Sequence, residues 1–240
     1  MSDTNPLSFS IPIITHRIMS TSVTLTIPLG KLSGKKWLFG AGTIRMALGV
    51  HERKNIEFLS MMVQKGYVFY DIGANVGYYS IVSSMMVGND GKVFAFEPNP
   101  RNLHLLKKHL SLNNCQNVGV ISACVGDKMG LVHFDLSDDP STSHVDSKGK
   151  LRVRMVQIDT LVANDVMPPP DFMKIDVEGA EMLVLKGAQC TLNTFHPRIL
   201  LSTHNAKVHK QCLEFLKVRG YKIFPCNNND LVSASDIIAH

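Results

Sequence analysis

Residues 67–80 read YVFYDIGANVGYYS, and the fold turns on how this stretch is read. An apolar run stops on Asp71, passes through Gly73 and Gly77, and resumes as an apolar stretch. That is the layout of a β-strand, a tight turn and a helix. In parallel α/β sheets, ligands bind where strands end and helices begin, in the crevice at which strand order reverses. Gly73 permits backbone angles that other residues resist and leaves room for a ligand against the main chain. Gly77 lets the next helix approach, and the first turn of that helix offers free N–H groups to polar ligand atoms. Asp71, at the strand end, is expected to be exposed at the ligand edge. The order D-x-G-x-N-x-G departs from the dinucleotide fingerprint G-x-G-x-x-G, because Asn75 stands where a pyrophosphate needs a glycine. A carboxylate beside the turn suits a cationic ligand portion such as an ammonium or sulfonium group. A structural turn with no ligand is the competing reading.

The flanking sequence weighs against a bare turn. KVFAFE (92–97) is a second strand ending in Glu97, near the ~20-residue offset at which an acid grips ribose hydroxyls. PRNLHLLKKHLSLNN (100–114) is a helix opened by Pro100, with Leu103, Leu106 and Leu110 on one face. NVGVIS (117–122) is a third strand. Strands alternating with helices in this way predict a parallel sheet with helices on its faces. The rhythm breaks in the middle, where GLVHFDL (130–136) and LRVRMV (151–156) read as two strands of a hairpin-like excursion with no helix between them. It returns with a strand in DFMKIDVEG (171–179) and a helix in AEMLVLKGA (180–188), closed by Gly187. RILLSTH (198–204) is a strand, KVHKQCLEFLKVRG (207–220) a helix stopped by Gly220, and YKIFP (221–225) and SDIIAH (235–240) are two short final strands. Residues 1–65 carry a weaker pattern, with a strand in SVTLTIPLG (22–30) and an amphipathic helix in HERKNIEFLSMMVQKG (51–66). They read as an extension packed on a core domain at 66–240.

The 240 residues are 45% apolar, with a net charge of +5 spread along the chain. That balance argues for neither nucleic acid nor a membrane surface as partner. Five widely spaced cysteines without a C-x-x-C pair predict neither a disulfide framework nor a zinc site, and imply a reducing compartment. No run is long and apolar enough for a membrane helix, and the N-terminal stretch lacks the layout of a signal peptide. The expectation is a cytoplasmic protein.

The stretches DIGANVGYYS, KVFAFEPNPRNLHLLKKHL, ISACVGDKMG and DFMKIDVEGAEMLVLKGA, in that order, resemble the successive motifs of the FkbM-type methyltransferases. GKKWLFGAG and GVHERK resemble that family more loosely. The resemblance implies a Rossmann-like class I methyltransferase fold, an α/β architecture with a seven-stranded, mostly parallel sheet, helices on both faces and an antiparallel last strand. It implies S-adenosylmethionine as cofactor and residues 66–240 as the catalytic domain. Carried over, the family's glycine-loop positions fall on Asp71, Gly73, Asn75 and Gly77, its ribose acid on Glu97, and its adenine wall near Ser122 and Ala123.

Transfer of a methyl group to a hydroxyl needs an aligned acceptor, and gains from a base that takes its proton. KIDVEG offers Lys174, Asp176 and Glu178 at alternate positions, which share a face along an extended segment. Asp176, at the strand end, is the candidate for contacting donor or acceptor. Glu178 is either a second acid or a cap on the following helix. Lys174 is expected to pair with a neighbouring acid. His204 is the candidate base, because the ordinary imidazole pKa of ~6.5 suits neutral pH. Relatives that this chain resembles carry an acid near that strand end, where Ser202 stands here. Asp176, His204 and Asn205 offer the acid and amide oxygens that suit Mg²⁺, but a single converging carboxylate favours no metal. The polar loop at residues 138–144 is a candidate for choosing the substrate. Lys148, Lys150, Arg152 and Arg154 form one basic strand face, read as the protected edge of a sheet or as a site for an anionic acceptor. The leading expectation is methylation of a hydroxylated small molecule, such as a sugar. The alternatives are methylation of RNA or protein, or a module that binds a nucleotide without turnover.

Overall fold

The computed structural model describes residues 23–135, 144–145, 149–226 and 230–240. In chain order the elements are β1 (Thr24–Thr26), β2 (Lys36–Leu38), α1 (Ile44–Leu48), α2 (Arg53–Met62), β3 (Val68–Ile72), α3 (Tyr78–Val87), β4 (Lys92–Phe96), α4 (Pro100–Leu112) and β5 (Val118–Ile121). The middle of the chain gives β6 (Cys124–Val125), β7 (Gly130–Asp135), β8 (His144–Val145), β9 (Leu151–Val156) and α5 (Ile158–Ala163). The last third gives β10 (Phe172–Ile175), α6 (Glu181–Gly187), α7 (Gln189–Phe195), β11 (Arg198–Ser202), α8 (Ala206–Lys217), β12 (Ile223–Pro225) and β13 (Asp236–Ala239).

The main sheet has seven strands in the order β12-β13-β11-β10-β3-β4-β5. β5, β4, β3, β10 and β11 run parallel, and β13 lies antiparallel between β11 and β12. The chain builds outward from β3 to β5 and then restarts at β10 on the other side of β3. Strand order therefore reverses between β3 and β10, and a crevice opens at their carboxyl ends. This is the Rossmann-like class I methyltransferase fold, with helices on both sides of the sheet.

Period-2 alternation divides the core. Phe69, Phe172, Leu200, Val93 and Ala95 face one side and pack with Ile81, Leu103 and Leu106 of α3 and α4. Ile27, Trp37 and Leu59, from the segment before β3, complete that cluster. Tyr70, Ile72, Met173, Ile175, Ile199 and Leu201 face the other side, under Val184, Leu192, Leu213 and Leu216 of α6, α7 and α8. Strands buried on both faces read as near-continuous apolar runs, which VFYDI and FMKI break only at Asp71 and Lys174, a buried pair facing each other in register.

The N-terminal segment is stitched to the turn after β3 through His109 of α4. Its Nε2 accepts from Leu38 N–H (3.1 Å), its Nδ1 donates to Val76 O (2.7 Å), and its ring stacks on Trp37 at 3.8 Å. Burial lowers the pKa of this imidazole, in keeping with the neutral tautomer the two bonds require.

The excursion is a second sheet, ordered β6-β9-β7-β8, with β7 and β9 antiparallel. β9 lies between β6 and β7, so its basic face is not the protected edge of a sheet. Arg152 and Arg154 are exposed while Val153 and Met155 pack on Phe134 and Cys124. Residues 138–143 of the polar loop, and Lys148, lie outside the described residues. Two short helices, α5 and α7, were not anticipated, and α6 passes into α7 across Ala188, so Gly187 is no terminal stop.

Candidate active site

A cavity of about 460 Å³ opens at the carboxyl ends of β3, β4, β10 and β11. Its β4 wall is built by the glycine turn. Gly73 has φ 81°, and a Cβ there would lie 1.8 Å from Asp176 O, so only glycine lets the segments that follow the parallel strands β3 and β10 pack this closely. Gly73 and Ala74 N–H donate to Phe96 O (3.1 and 3.0 Å), which ties the turn to the end of β4. Asn75 sits in the left-handed region (φ 50°). Its N–H donates to Glu97 Oε2 (2.8 Å), and Asn99 N–H donates to Glu97 Oε1 (2.7 Å). Glu97 is thus a latch on the turn as well as a cavity residue. Burial lifts its carboxyl to about 7, against the pull of these hydrogen bonds and of Lys174.

Three sequence-derived positions stand differently from the expectation. Asp71 is not exposed at the ligand edge but fully buried below the turn, because it shares the α3-facing side of β3 with Phe69. There it accepts from Ser80 Oγ (2.6 Å) and lies 3.6 Å from Lys174 Nζ, its register partner on β10. Gly77 (φ 95°) is off the cavity wall, and a Cβ would lie 2.6 Å from Leu106 Cδ1, so it admits α4. Ser122 is exposed and off the wall, whereas Ala123 and Cys124 line it.

Lys174 pairs with acids, as its spacing suggested. Its ammonium is buried, donates to Gly73 O (2.9 Å), lies 3.3 Å from Asp176 Oδ2, and stands over the Tyr79 ring at 5.1 Å. Burial alone would lower its pKa, but Asp176, Asp71 and Glu52 outweigh that and raise it.

The β10–β11 wall brings Asp176, Glu178 and His204 together. His204 Nε2 lies 3.4 Å from both Asp176 Oδ1 and Glu178 Oε1, and Nδ1 lies 3.0 Å from Glu181 Oε1. Glu181 is fully buried and also accepts from Gly179 N–H (2.9 Å). The Glu181 hydrogen bond, opposed by burial and reinforced by Asp176 and Glu178, raises His204 to about 9. At neutral pH the imidazole is a cation and a donor, which corrects its reading as a ready base. Glu178 does not cap α6: its left-handed backbone (φ 52°) turns the side chain back toward His204. Burial raises its pKa. Two carboxylates therefore converge on His204 Nε2 instead of the one expected, with a third, Glu181, at Nδ1. Asn205 takes no part, since its Oδ1 caps α8 by accepting from Lys207 and Val208 N–H. An acid does stand beside Ser202: its Oγ donates to Asp236 Oδ1 (2.6 Å) on the adjacent β13, and both residues line the cavity.

The sequence reading missed the wall supplied by the N-terminal segment. His51 Nε2 lies 2.9 Å from Glu52 Oε1, and Glu52 Oε2 accepts from Tyr79 Oη and from Asn55 Nδ2 (3.2 Å). Burial would raise the Glu52 carboxyl, but His51, Tyr79 and Lys174 hold it down at about 2. The signal was the pair of ionisable residues opening an amphipathic helix, inside the loosely matching GVHERK stretch.

The sequence profile of the methyltransferase FkbM domain matches residues 71–223. The hexuronic acid methyltransferase AglP of Haloferax volcanii is 31% identical over 144 residues, covering 57% of this chain and 56% of AglP. The crystal structure of an FkbM methyltransferase from Methylobacillus flagellatus superposes with a TM-score of 0.53 at 16% identity, covering 83% of this chain and 56% of that one. A structure described as a putative rRNA methylase from Clostridium thermocellum gives 0.52 at 13%, covering 78% and 91%. The two structures support the fold alone, and the chain matches little more than half the length of AglP and of the Methylobacillus protein. Among the described residues no helix is long and apolar enough to cross a membrane. The cofactor that goes with the matched domain is S-adenosylmethionine. From the glycine turn of β3 to the start of β12, this chain belongs to the FkbM methyltransferase family.

Proposed function

We propose that the protein O-methylates a hydroxyl on a sugar acid or a similar small polar metabolite. One observation carries the reading: Glu97 and the Asp176–Glu178–His204 group line the same cavity. Its volume lies within the ~300–1,000 Å³ of small-molecule sites. When bound, the cofactor supplies an electrophilic methyl group. The chain's part is to hold and orient. Glu97 accepts two main-chain N–H groups and the Asn102 side chain, and a carboxylate's four or so acceptor sites leave capacity for a ribose hydroxyl. The turn at Gly73, Ala74 and Asn75 and the wall at Ala123 shape the rest of the cofactor site, with Asp71 and Gly77 supporting that turn from below.

Asp176 and Glu178 are the groups placed to accept the hydroxyl's hydrogen bond and its proton. His204, charged at neutral pH, orients them and offers a donor to an acidic substrate. The hexuronic acid in the name of AglP carries both hydroxyls and a carboxylate, and His204 is the part-exposed cation that such a carboxylate would meet in this cavity. Residues 66–240 form the catalytic domain in this reading, and the preceding extension completes the cavity through His51 and Glu52.

The test is calorimetric titration with S-adenosylmethionine, followed by a panel of hexuronic acids and neutral hexoses read by mass spectrometry for a methyl ether. Binding together with turnover of a hydroxylated acceptor supports the proposal. Tight donor binding with no transfer to any hydroxyl across the panel sinks it, in favour of another acceptor class or a binding module.

A further inference from the structure

We propose that Asp176, Glu178 and His204 form a binding site for one divalent transition-metal cation, of the kind represented by Zn²⁺ and Mn²⁺. Their ligand atoms all lie within 4.8 Å of one another. The two 3.4 Å separations from His204 Nε2 exceed the ~2.7–3.2 Å of an N–H···O hydrogen bond. They match two ligands sharing one ion at ~2.1 Å, for which the edge of a tetrahedron is about 3.4 Å. Three protein ligands leave a fourth position open, the pattern of a catalytic rather than a closed structural site. One imidazole with two carboxylates is a donor set for borderline cations.

Two independent features point the same way. The first is the group behind His204. Glu181 is fully buried, holds Nδ1 at 3.0 Å, and keeps an Oε2 that has no partner. A metal that binds displaces the Nε2 proton to solvent, and a buried carboxylate holding Nδ1–H fixes the tautomer whose Nε2 lone pair then faces the ion. The second is charge. Contacts under 4 Å link Asp71, Lys174, Asp176, His204, Glu178 and Glu181 into one chain of four carboxylates and at most two cations. A divalent ion supplies the charge that this chain lacks. The absence of a metal expected from sequence rested on Asp176, His204 and Asn205. In the fold Asn205 caps α8, and the left-handed backbone at Glu178 puts a second carboxylate in its place. The ion's use rests on the hydroxyl-methylation reading, with one change of role: Asp176 and Glu178 serve as ligands rather than bases, and the open position takes the acceptor hydroxyl and makes it more acidic, its proton leaving to solvent.

The experiment is titration of the chelator-stripped full chain with MnCl₂, followed by electron paramagnetic resonance and calorimetry, with Zn²⁺ as competitor. The expected result is one Mn²⁺ per chain, displaced by Zn²⁺. His204→Ala and Glu178→Gln should abolish uptake, and Glu181→Gln should weaken it by ~10–100-fold. Retained S-adenosylmethionine binding reports that each variant is folded, and His204→Ala, at a part-exposed side chain, keeps the test available if Glu181→Gln does not fold. No saturable uptake of either ion, or uptake unchanged in His204→Ala, overturns the site. Full turnover of a hydroxyl acceptor by protein that takes up no metal also overturns it, while leaving the functional reading standing. Metal uptake as expected with no hydroxyl acceptor turned over supports the site and sinks that reading.

Discussion

On the β4 wall of the cavity the polar groups are mostly main chain: the N–H groups of Gly73, Ala74, Asn75 and Asn99, gathered on Phe96 O and the Glu97 carboxylate. On the β10–β11 wall they are side chains, with Lys174, Asp176, Glu178, Glu181 and His204 joined in one run of contacts. The first wall is specified by two short stretches, 71–77 and 92–99. The second is assembled from residues far apart in sequence, with Glu52 and Tyr79 on one flank and Ser202 and Asp236 on the other. A main-chain site tolerates side-chain change but not backbone change. A charged side-chain site fails when one member leaves its partners buried and unpaired.

The largest expected effect breaks the second wall. Lys174→Met removes the ammonium that sits between Asp71, fully buried, and Asp176. Breaking a buried pair from one side costs roughly 3–5 kcal/mol, because the remaining charge is uncompensated. Urea unfolding should show a loss of that size. A loss below about 1 kcal/mol would mean that Asp71 takes up a proton at little cost, and that the charge run does not hold this wall together.

Next comes the one side chain on which the first wall depends. Glu97→Ala should weaken S-adenosylmethionine binding by about 1.5–3 kcal/mol, if charge-assisted hydrogen bonds to ribose are lost. Calorimetry measures it directly, and unchanged affinity would move the ribose elsewhere.

The same carboxyl gives a pH signature. Burial raises Glu97 in the folded chain to about 7, above its unfolded value, so the native state holds this proton more tightly. Its contribution to stability is present below pH ~4.5 and is lost as pH rises through about 7. Ribose hydroxyls donate to the ionised form, so donor affinity should rise across the same window. Glu97→Gln should flatten both slopes. A wild-type affinity that falls as pH passes 7 would contradict the assignment.

The contrast between the walls also separates what was legible in the sequence from what was not. The glycine turn, Glu97 and the parallel core are local patterns: buried strands read as apolar runs, and the turn spells its own backbone. α7 went unread because Ala188 gives it no side-chain cap and its sequence, QCTLNTF, mixes β-branched and polar residues without a clear stripe. α5, six residues with Ile158 alone buried, lacks one too. His204 looked like a base of ordinary pKa because nothing near it in sequence marks Glu181, 23 positions earlier, as buried behind the ring. Asp71 looked exposed because a strand end says nothing of which face its side chain takes until the register with Lys174 is known. The acid beside Ser202 arrives from β13, a neighbour created by topology alone.

The smallest effect is the sharpest test of the first wall. Asn75 adopts φ 50°, a conformation costing most L-residues about 1–2 kcal/mol and glycine nothing. Its Oδ1 also accepts from Val76 N–H (2.7 Å), a bond worth about 0.5–1.5 kcal/mol that Asn75→Gly deletes. These terms oppose each other, so the substitution should leave stability within about 1 kcal/mol of the parent. What Glu97 uses at this position is the Asn75 N–H, which glycine keeps. Donor affinity should therefore be unchanged, even though the substitution alters a residue in the middle of the motif that decides the fold. A tenfold loss of affinity would mean that the Asn75 side chain itself grips the donor. The first wall would then be a side-chain site like the second, and the difference between them would disappear.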